Sequence, residues 1–235
     1  MIRIGVTGTD TGVGKTVVTC AIAAALRRRG LRVAAMKPVE TGAAFDDEMR
    51  DGNRLRLASG DDRPLSVTAP LTFSEPVAPL VAARHERTTI DIARLDAAVR
   101  EAARDRDVLL VEGAGGLLVP LTERISYDAL FARWQLNLVV VAANRLGVIN
   151  HTRMTLAAAR AAGLTPAVVV LNELTTNSLD PSIADNARVI AELERVAVAE
   201  LPWLPRLDDL DAAAELAERC GIVELVAPGS RPTPV

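Results

Sequence analysis

Lysine is nearly missing from this 235-residue chain: of 27 lysines and arginines, only Lys15 and Lys37 are lysine. Arginine fills every other cationic position, so the two lysines mark where to look for chemistry. Cysteine is equally scarce. Cys20 and Cys220 are the only two, too few for a disulfide framework in a domain of this size. No C-x-x-C pair or Cys/His cluster offers a zinc site, and Cys20 reads as a small buried hydrophobe on a helix. A large excess of one charge is absent as well. The formal net charge of −3 argues against a general nucleic-acid-binding surface. Long apolar runs are missing: those at 138–143 and 167–171 are far too short to span a bilayer. The apolar start at 1–6 runs into glycine-rich sequence without a basic n-region or long h-region, so no signal peptide and a cytoplasmic protein are expected. Neither a Gly/Ser linker nor a solenoid-period repeat divides the chain.

What is present fits a globular domain. Hydrophobic residues make up 49% and charged residues 24%, which excludes disordered and collagen-like classes and is ample for a buried core. Short apolar runs predict strands over 2–7 and 32–36, and Val- and Leu-rich ones predict strands over 109–112, 138–142 and 168–171. Helices are expected over 14–29, 54–58, 90–104, 150–162, 183–196 and 210–219. Continuously apolar strands separated by helices indicate a parallel sheet covered on both faces. The expected fold is a single doubly wound α/β domain over 1–226, with a proline-containing tail at 227–235 that frays. Arg27, Arg28 and Arg29 precede Gly30 at the end of the first helix, where cations oppose the negative end of the helix dipole and Gly30 is the C′ residue.

The first strand runs into Thr7-Gly8-Thr9-Asp10-Thr11-Gly12-Val13-Gly14-Lys15-Thr16. A glycine-rich loop between strand and helix aims backbone N–H groups at one point, and the helix N-terminus adds partial positive charge. Lys15 can reach β- and γ-phosphates and the Thr16 hydroxyl can ligate Mg²⁺. The usual first glycine of such a loop falls on Thr9; Gly8 lies one residue earlier. A second acidic element stands at Glu112, at the end of the strand beginning near Asp107 and followed by Gly113-Ala114-Gly115-Gly116. Those glycines let a substrate or phosphate approach the backbone. Lys37 ends the second strand in Lys37-Pro38-Val39-Glu40-Thr41-Gly42. That strand end also opens on the edge where doubly wound folds bind ligands, and an ammonium there can meet a phosphate or a developing anion.

Together these segments, with Leu146-Gly147-Val148-Ile149-Asn150-His151 and Leu201-Pro202-Trp203-Leu204, resemble the dethiobiotin synthetase family over nearly the whole chain. The shifted glycine of the phosphate loop is the spacing that family shows. The resemblance implies an ATP- and Mg²⁺-dependent ligase on a P-loop fold, carboxylating 7,8-diaminononanoate with CO₂ to the cyclic urea dethiobiotin. It implies Thr11, Gly12, Val13 and Gly14 around the phosphates, and Lys15 and Lys37 on the transferring group. Thr16, Glu112 and Asp51 would be the Mg²⁺ ligands, with Asp46 and Asp47 as alternatives to Asp51. Thr41 and Gly115 would meet the substrate. Asn172 would bind adenine in a pocket lined by Pro202, Trp203 and Leu204. Gly147, Val148 and Asn150 of a second subunit would receive the substrate carboxylate, which implies a homodimer. On sequence alone Asp51 and Asn150 read equally as helix caps, and neither His85 nor His151 is given a catalytic role.

Three other classes fit less well. Partition or septum-positioning ATPases carry an additional lysine early in the phosphate loop, where this chain has Thr9, Asp10 and Thr11. An amidotransferase synthetase needs a glutaminase domain, for which the chain has no room. A guanine-nucleotide-binding protein needs Asn-Lys-x-Asp, and no lysine follows Lys37.

Overall fold

The computed structural model describes residues 1–44, 50–176, 178–206 and 208–230. Its elements are β1 (Ile2–Gly8), α1 (Lys15–Arg28), β2 (Val33–Met36), β3 (Val39–Thr41), α2 (Asp51–Ser59), α3 (Leu65–Thr68), β4 (Leu71–Phe73), α4 (Pro79–His85) and α5 (Ile92–Ala103). There follow β5 (Val108–Gly116), α6 (Tyr127–Arg133), β6 (Asn137–Ala143), α7 (Val148–Ala161), β7 (Pro166–Asn172), α8 (Ile183–Glu194), β8 (Val198–Leu201), α9 (Leu210–Arg219) and α10 (Ile222–Val226).

Six strands pair in parallel in the order β2-β5-β1-β6-β7-β8. Their apolar runs are continuous because both faces are covered. In β5, Val108 and Leu110 join the core beneath α1, α9 and α10, while Leu109 and Val111 join the core beneath α5 to α8. α1 is buried along most of its length. Its Ala21, Ala24 and Ala25 and the Ala213, Ala214 and Ala217 of α9 share one core, and such small side chains permit close helix packing. Asp91 caps α5, accepting from Ala93 N at 2.8 Å, and Asp209 caps α9, accepting from Ala212 N at 3.0 Å.

The structure extends several expected elements and adds others. β5 continues past Glu112 through the glycines to Gly116, and α2 begins at Asp51 rather than Arg54. The edge strand β8 and the two-stranded parallel sheet β3–β4 were not anticipated. Strands of three or four residues are too short to show a period. Arg29 does more than face the helix dipole. It is buried, and its guanidinium donates to Glu218 at 3.3 Å, to Glu224 at 2.6 Å and to the Ser230 carbonyl at 2.6 Å. With Ala227 fully buried, the start of the segment expected to fray packs against the domain; residues 231–235 lie outside the described residues.

Candidate active site

The strand order brings the site together. β2, β5 and β1 are neighbours in the sheet, so Lys37 just after β2, Glu112 in β5 and the loop after β1 meet at one edge. The loop turns tightly. Gly12 and Gly14 have φ of 75° and 91°, a left-handed conformation that strains other residues. A Cβ at Gly14 would lie 2.0 Å from Asn172 Nδ2, the atom that donates to the Val13 carbonyl at 3.1 Å. A Cβ at Gly8 would lie 2.6 Å from the Asp10 carbonyl and 3.1 Å from Lys15 Nζ. The glycine that stands one residue early is therefore where the loop folds back on its own strand. Lys15 Nζ donates to that Asp10 carbonyl at 3.2 Å. No acidic residue occupies the first turn of α1, so its N-terminal field stays available to an anion.

Glu112 is fully buried, and both its oxygens are used. Oε1 accepts from Thr16 Oγ1 at 2.9 Å and is paired with Lys37 Nζ at 3.1 Å; Oε2 accepts from Thr19 Oγ1 at 2.8 Å. Lys37 Nζ also donates to Asp51 Oδ2. Burial by itself pulls the Lys37 ammonium down, and Glu112 and Asp51 more than reverse this, holding it above the ordinary lysine value. Lys15 goes the other way: burial dominates and lowers it, against the attraction of Glu112. The two lysines thus share one carboxylate while their environments differ in sign.

Thr11, Gly12, Gly14, Lys15, Thr16, Lys37, Thr41, Asp51 and Gly115 line a single cleft of about 450 Å³. Residues 76–79 line it too, and nothing in the sequence singles them out. Thr19 was also missed, although it sits three residues after Thr16 on the same helix and so on the same face. Asp46 and Asp47, the alternatives to Asp51, lie outside the described residues. Asp51 opens the first turn of α2, and the cap position before it belongs to Arg50. Gly147 is the cap of α7, in a left-handed conformation, and no side chain caps this helix, so Asn150 is not its cap. Gly147, Val148 and Asn150 lie outside the cleft. Val148 lines a separate small recess with Thr9, Asp10 and Val13 of the phosphate loop. Pro202, Trp203 and Leu204 follow β8, next to the β7 end that carries Asn172, and are also outside the cleft.

Among the described residues no three or more His, Cys, Asp or Glu side chains cluster as a metal site. The hard-oxygen set Thr16, Glu112 and Asp51 nevertheless suits Mg²⁺, which binds one or two carboxylates and completes its shell with water and phosphate oxygens.

A parallel sheet, a glycine loop entering a buried helix and a lysine-lined cleft define a phosphate-loop nucleotide-binding α/β protein. A family model described as an AAA domain matches residues 3–211. The whole chain superposes on 98% of a chain from the MinC:MinD cell division protein complex of Aquifex aeolicus, with a TM-score of 0.56 at 15% identity. It also superposes, over 97% of its length, on 94% of the ParA family ATPase chain of Chlorobium tepidum TLS, with a TM-score of 0.50 at 17% identity. At such identities the likeness is one of fold. Sequence similarity is more specific. The chain is 47% identical over 201 residues to the ATP-dependent dethiobiotin synthetase of Anaeromyxobacter dehalogenans (strain 2CP-C), covering 85% of this chain and 89% of that protein. It is 35% identical over 233 residues to the synthetase of the same name from Aquifex aeolicus (strain VF5), covering 99% and 100%. The chain belongs to the ATP-dependent dethiobiotin synthetase family.

Proposed function

We propose that the chain carboxylates 7,8-diaminononanoate with CO₂ and closes the ring of dethiobiotin, converting ATP to ADP and phosphate. The observation that carries this reading is Lys37 joining the buried Glu112 and Asp51 in the cleft that Lys15 also lines, in a chain of this family. One amine of the substrate takes up CO₂ as a carbamate and loses a proton. A carbamate oxygen attacks the γ-phosphorus, the bond to ADP breaks, and a carbamic–phosphoric anhydride forms. The second amine attacks its carbonyl carbon, the C–O bond to phosphate breaks, and the amine loses its proton as the cyclic urea closes.

The chemistry asks mainly for positioning and charge neutralisation. The backbone of Thr11, Gly12, Val13 and Gly14 cradles the phosphates. Lys15 spans them, and Lys37 holds the carbamate and γ-phosphate oxygens. Thr41 offers its hydroxyl to a substrate amine, and Gly115 lets the substrate approach the backbone. Asn172 meets the adenine, with Pro202, Trp203 and Leu204 beside it. Thr16, Glu112 and Asp51 hold Mg²⁺, which when bound neutralises charge on the phosphate oxygens. Gly147, Val148 and Asn150 receive the substrate carboxylate from the partner of a homodimer. The exposed Leu118, Leu146 and Met154 support that assembly, Leu118 and Met154 lining one groove beside the phosphate loop. We place the enzyme in the cytoplasm, where ATP is available; among the described residues no helix is long and apolar enough to cross a membrane.

Phosphate release tests this reading. With ATP and Mg²⁺ present, release should require the diamine and bicarbonate together. Release that the diamine does not stimulate would contradict it and favour a regulatory ATPase.

A further inference from the structure

Glu40 and Arg50 are a buried ion pair outside the cleft, 2% and 3% exposed. Glu40 lies in β3, three residues after Lys37. Arg50 is the residue before α2. Arg50 Nε donates to Glu40 Oε2 at 2.9 Å, and the Gly52 backbone N–H donates to Glu40 Oε1 at 3.3 Å. One carboxylate therefore holds the residues on both sides of Asp51. The bracket is anchored further, because Arg50 also donates to the hydroxyl of Thr72, the β4 residue in register with Glu40. Gly52 completes it. A Cβ there would lie 2.5 Å from Ala69 Cβ and 3.2 Å from Glu40 Oε2, so only glycine lets the start of α2 seat this closely.

Stability alone is a poor explanation for the pair. Buried ion pairs carry a desolvation penalty that often equals their Coulomb gain, and apolar residues of similar volume commonly do as well. Geometry is the better explanation. Lys37 and Glu40 are on one continuous segment, so whatever fixes Asp51 to Glu40 also fixes Asp51 relative to Lys37 and, through Lys37, to Glu112.

We propose that Glu40 and Arg50 are positioning residues that set Asp51 at the phosphate end of the cleft, and that divalent-ion affinity depends on them although neither reaches the ion. The proposal rests on the reading of Asp51 as an Mg²⁺ ligand.

The test uses the full-length protein, with Mn²⁺ as a paramagnetic probe bound in the presence of ADP, and with the Mg²⁺ concentration for half-maximal turnover. The variants are Glu40→Gln, the double substitution Glu40→Met with Arg50→Met, and Asp51→Asn. Losses through outer-shell partners typically reach about 10–100-fold in metal affinity. Glu40→Gln and the double variant should weaken Mn²⁺ binding by about tenfold and raise the Mg²⁺ requirement in parallel. ADP affinity without divalent ion should stay within about twofold, since the phosphate loop is untouched. The double variant removes both charges of this pair together, so it decides the matter if Glu40→Gln unfolds. Melting at the wild-type temperature together with weakened Mn²⁺ binding supports the proposal. Folded variants with wild-type Mn²⁺ affinity overturn it. If Asp51→Asn weakens binding while the Glu40 variants do not, the bracket fails and the metal site stands. If Asp51→Asn also binds Mn²⁺ normally, the ligand assignment fails and the proposal with it.

Discussion

Lys37 is buried, yet its ammonium is held above the ordinary lysine value. Desolvation alone would favour the neutral amine. Two carboxylates on different elements, Glu112 in β5 and Asp51 in α2, keep the charge in place. A glutamine at 37 keeps a polar donor, one bond shorter, and loses the charge. Lys37→Gln should cut turnover by about 10²–10³-fold, the usual loss on removing a stabiliser of developing charge. ATP affinity, read by calorimetry, should fall far less, because the loop and Lys15 remain. Retained turnover would remove Lys37 from the chemistry. The sequence points to this residue because arginine replaces lysine almost everywhere else, and an ammonium on a flexible stem follows a moving phosphoryl group better than a rigid fork does. It does not point to Thr19, whose bond to Glu112 spans 93 positions, nor to the bracket around Asp51. Those pairings exist only once β5 lies beside β1 and β3 beside β4.

Among the elements, those with a strong apolar run are legible and those defined by their neighbours are not. The core of β1 follows from Ile2, Ile4 and Val6, and those of β5, β6 and β7 from Val and Leu runs. The end of β5 does not, because Gly113, Gly115 and Gly116 have little strand propensity, and only pairing with β1, Gly8 with Gly116, extends the strand. The start of α2 is illegible for a similar reason: Gly52 lowers helix propensity, and the Glu40 carboxylate that accepts from its N–H comes from β3. The turn after α2 carries a further device. Asp61 is buried and accepts from the Arg63 guanidinium at 2.8 Å and from Arg106 at 3.0 Å. Burial raises its carboxyl, and the Arg63 hydrogen bonds with the charge of Arg106 more than reverse this, leaving it below the usual carboxylate range. A carboxyl depressed in the folded state stabilises fully above about pH 4, its unfolded value, and that stabilisation is lost as pH falls through the lower folded value. Asp61→Asn should destabilise the protein at neutral pH by about 3 kcal/mol, since two arginines lose their partner. It should also flatten the loss of stability below pH 4 in urea titrations. An unchanged acid limb would show that Asp61 adds nothing to it.

For the molecule as a whole, the doubly wound class is legible because continuous strands alternate with helices. The site's position is legible too, since such sheets bind ligands at the C-terminal ends of their strands. What closes the molecule is less so. β8 adds an edge to the sheet beside β7, and the clasp of Arg29 on Glu218, Glu224 and Ser230 joins segments nearly two hundred residues apart. Assembly is the other property at this scale. Sedimentation should give twice the 24.9 kDa of one chain, and charged substitutions at Leu118 and Met154 should return the monomer and weaken the diamine more than ATP. A monomer with full activity would contradict the shared site. The fold is shared with a chain of the MinC:MinD cell division complex and with a ParA family ATPase, so it does not by itself identify a synthetase; the product does. With ¹³C-bicarbonate, the diamine, Mg²⁺ and ATP, mass spectrometry should find one cyclic urea formed per ADP, carrying a single ¹³C at its carbonyl and absent when any component is left out. ADP accumulating with no labelled urea would contradict the central claim.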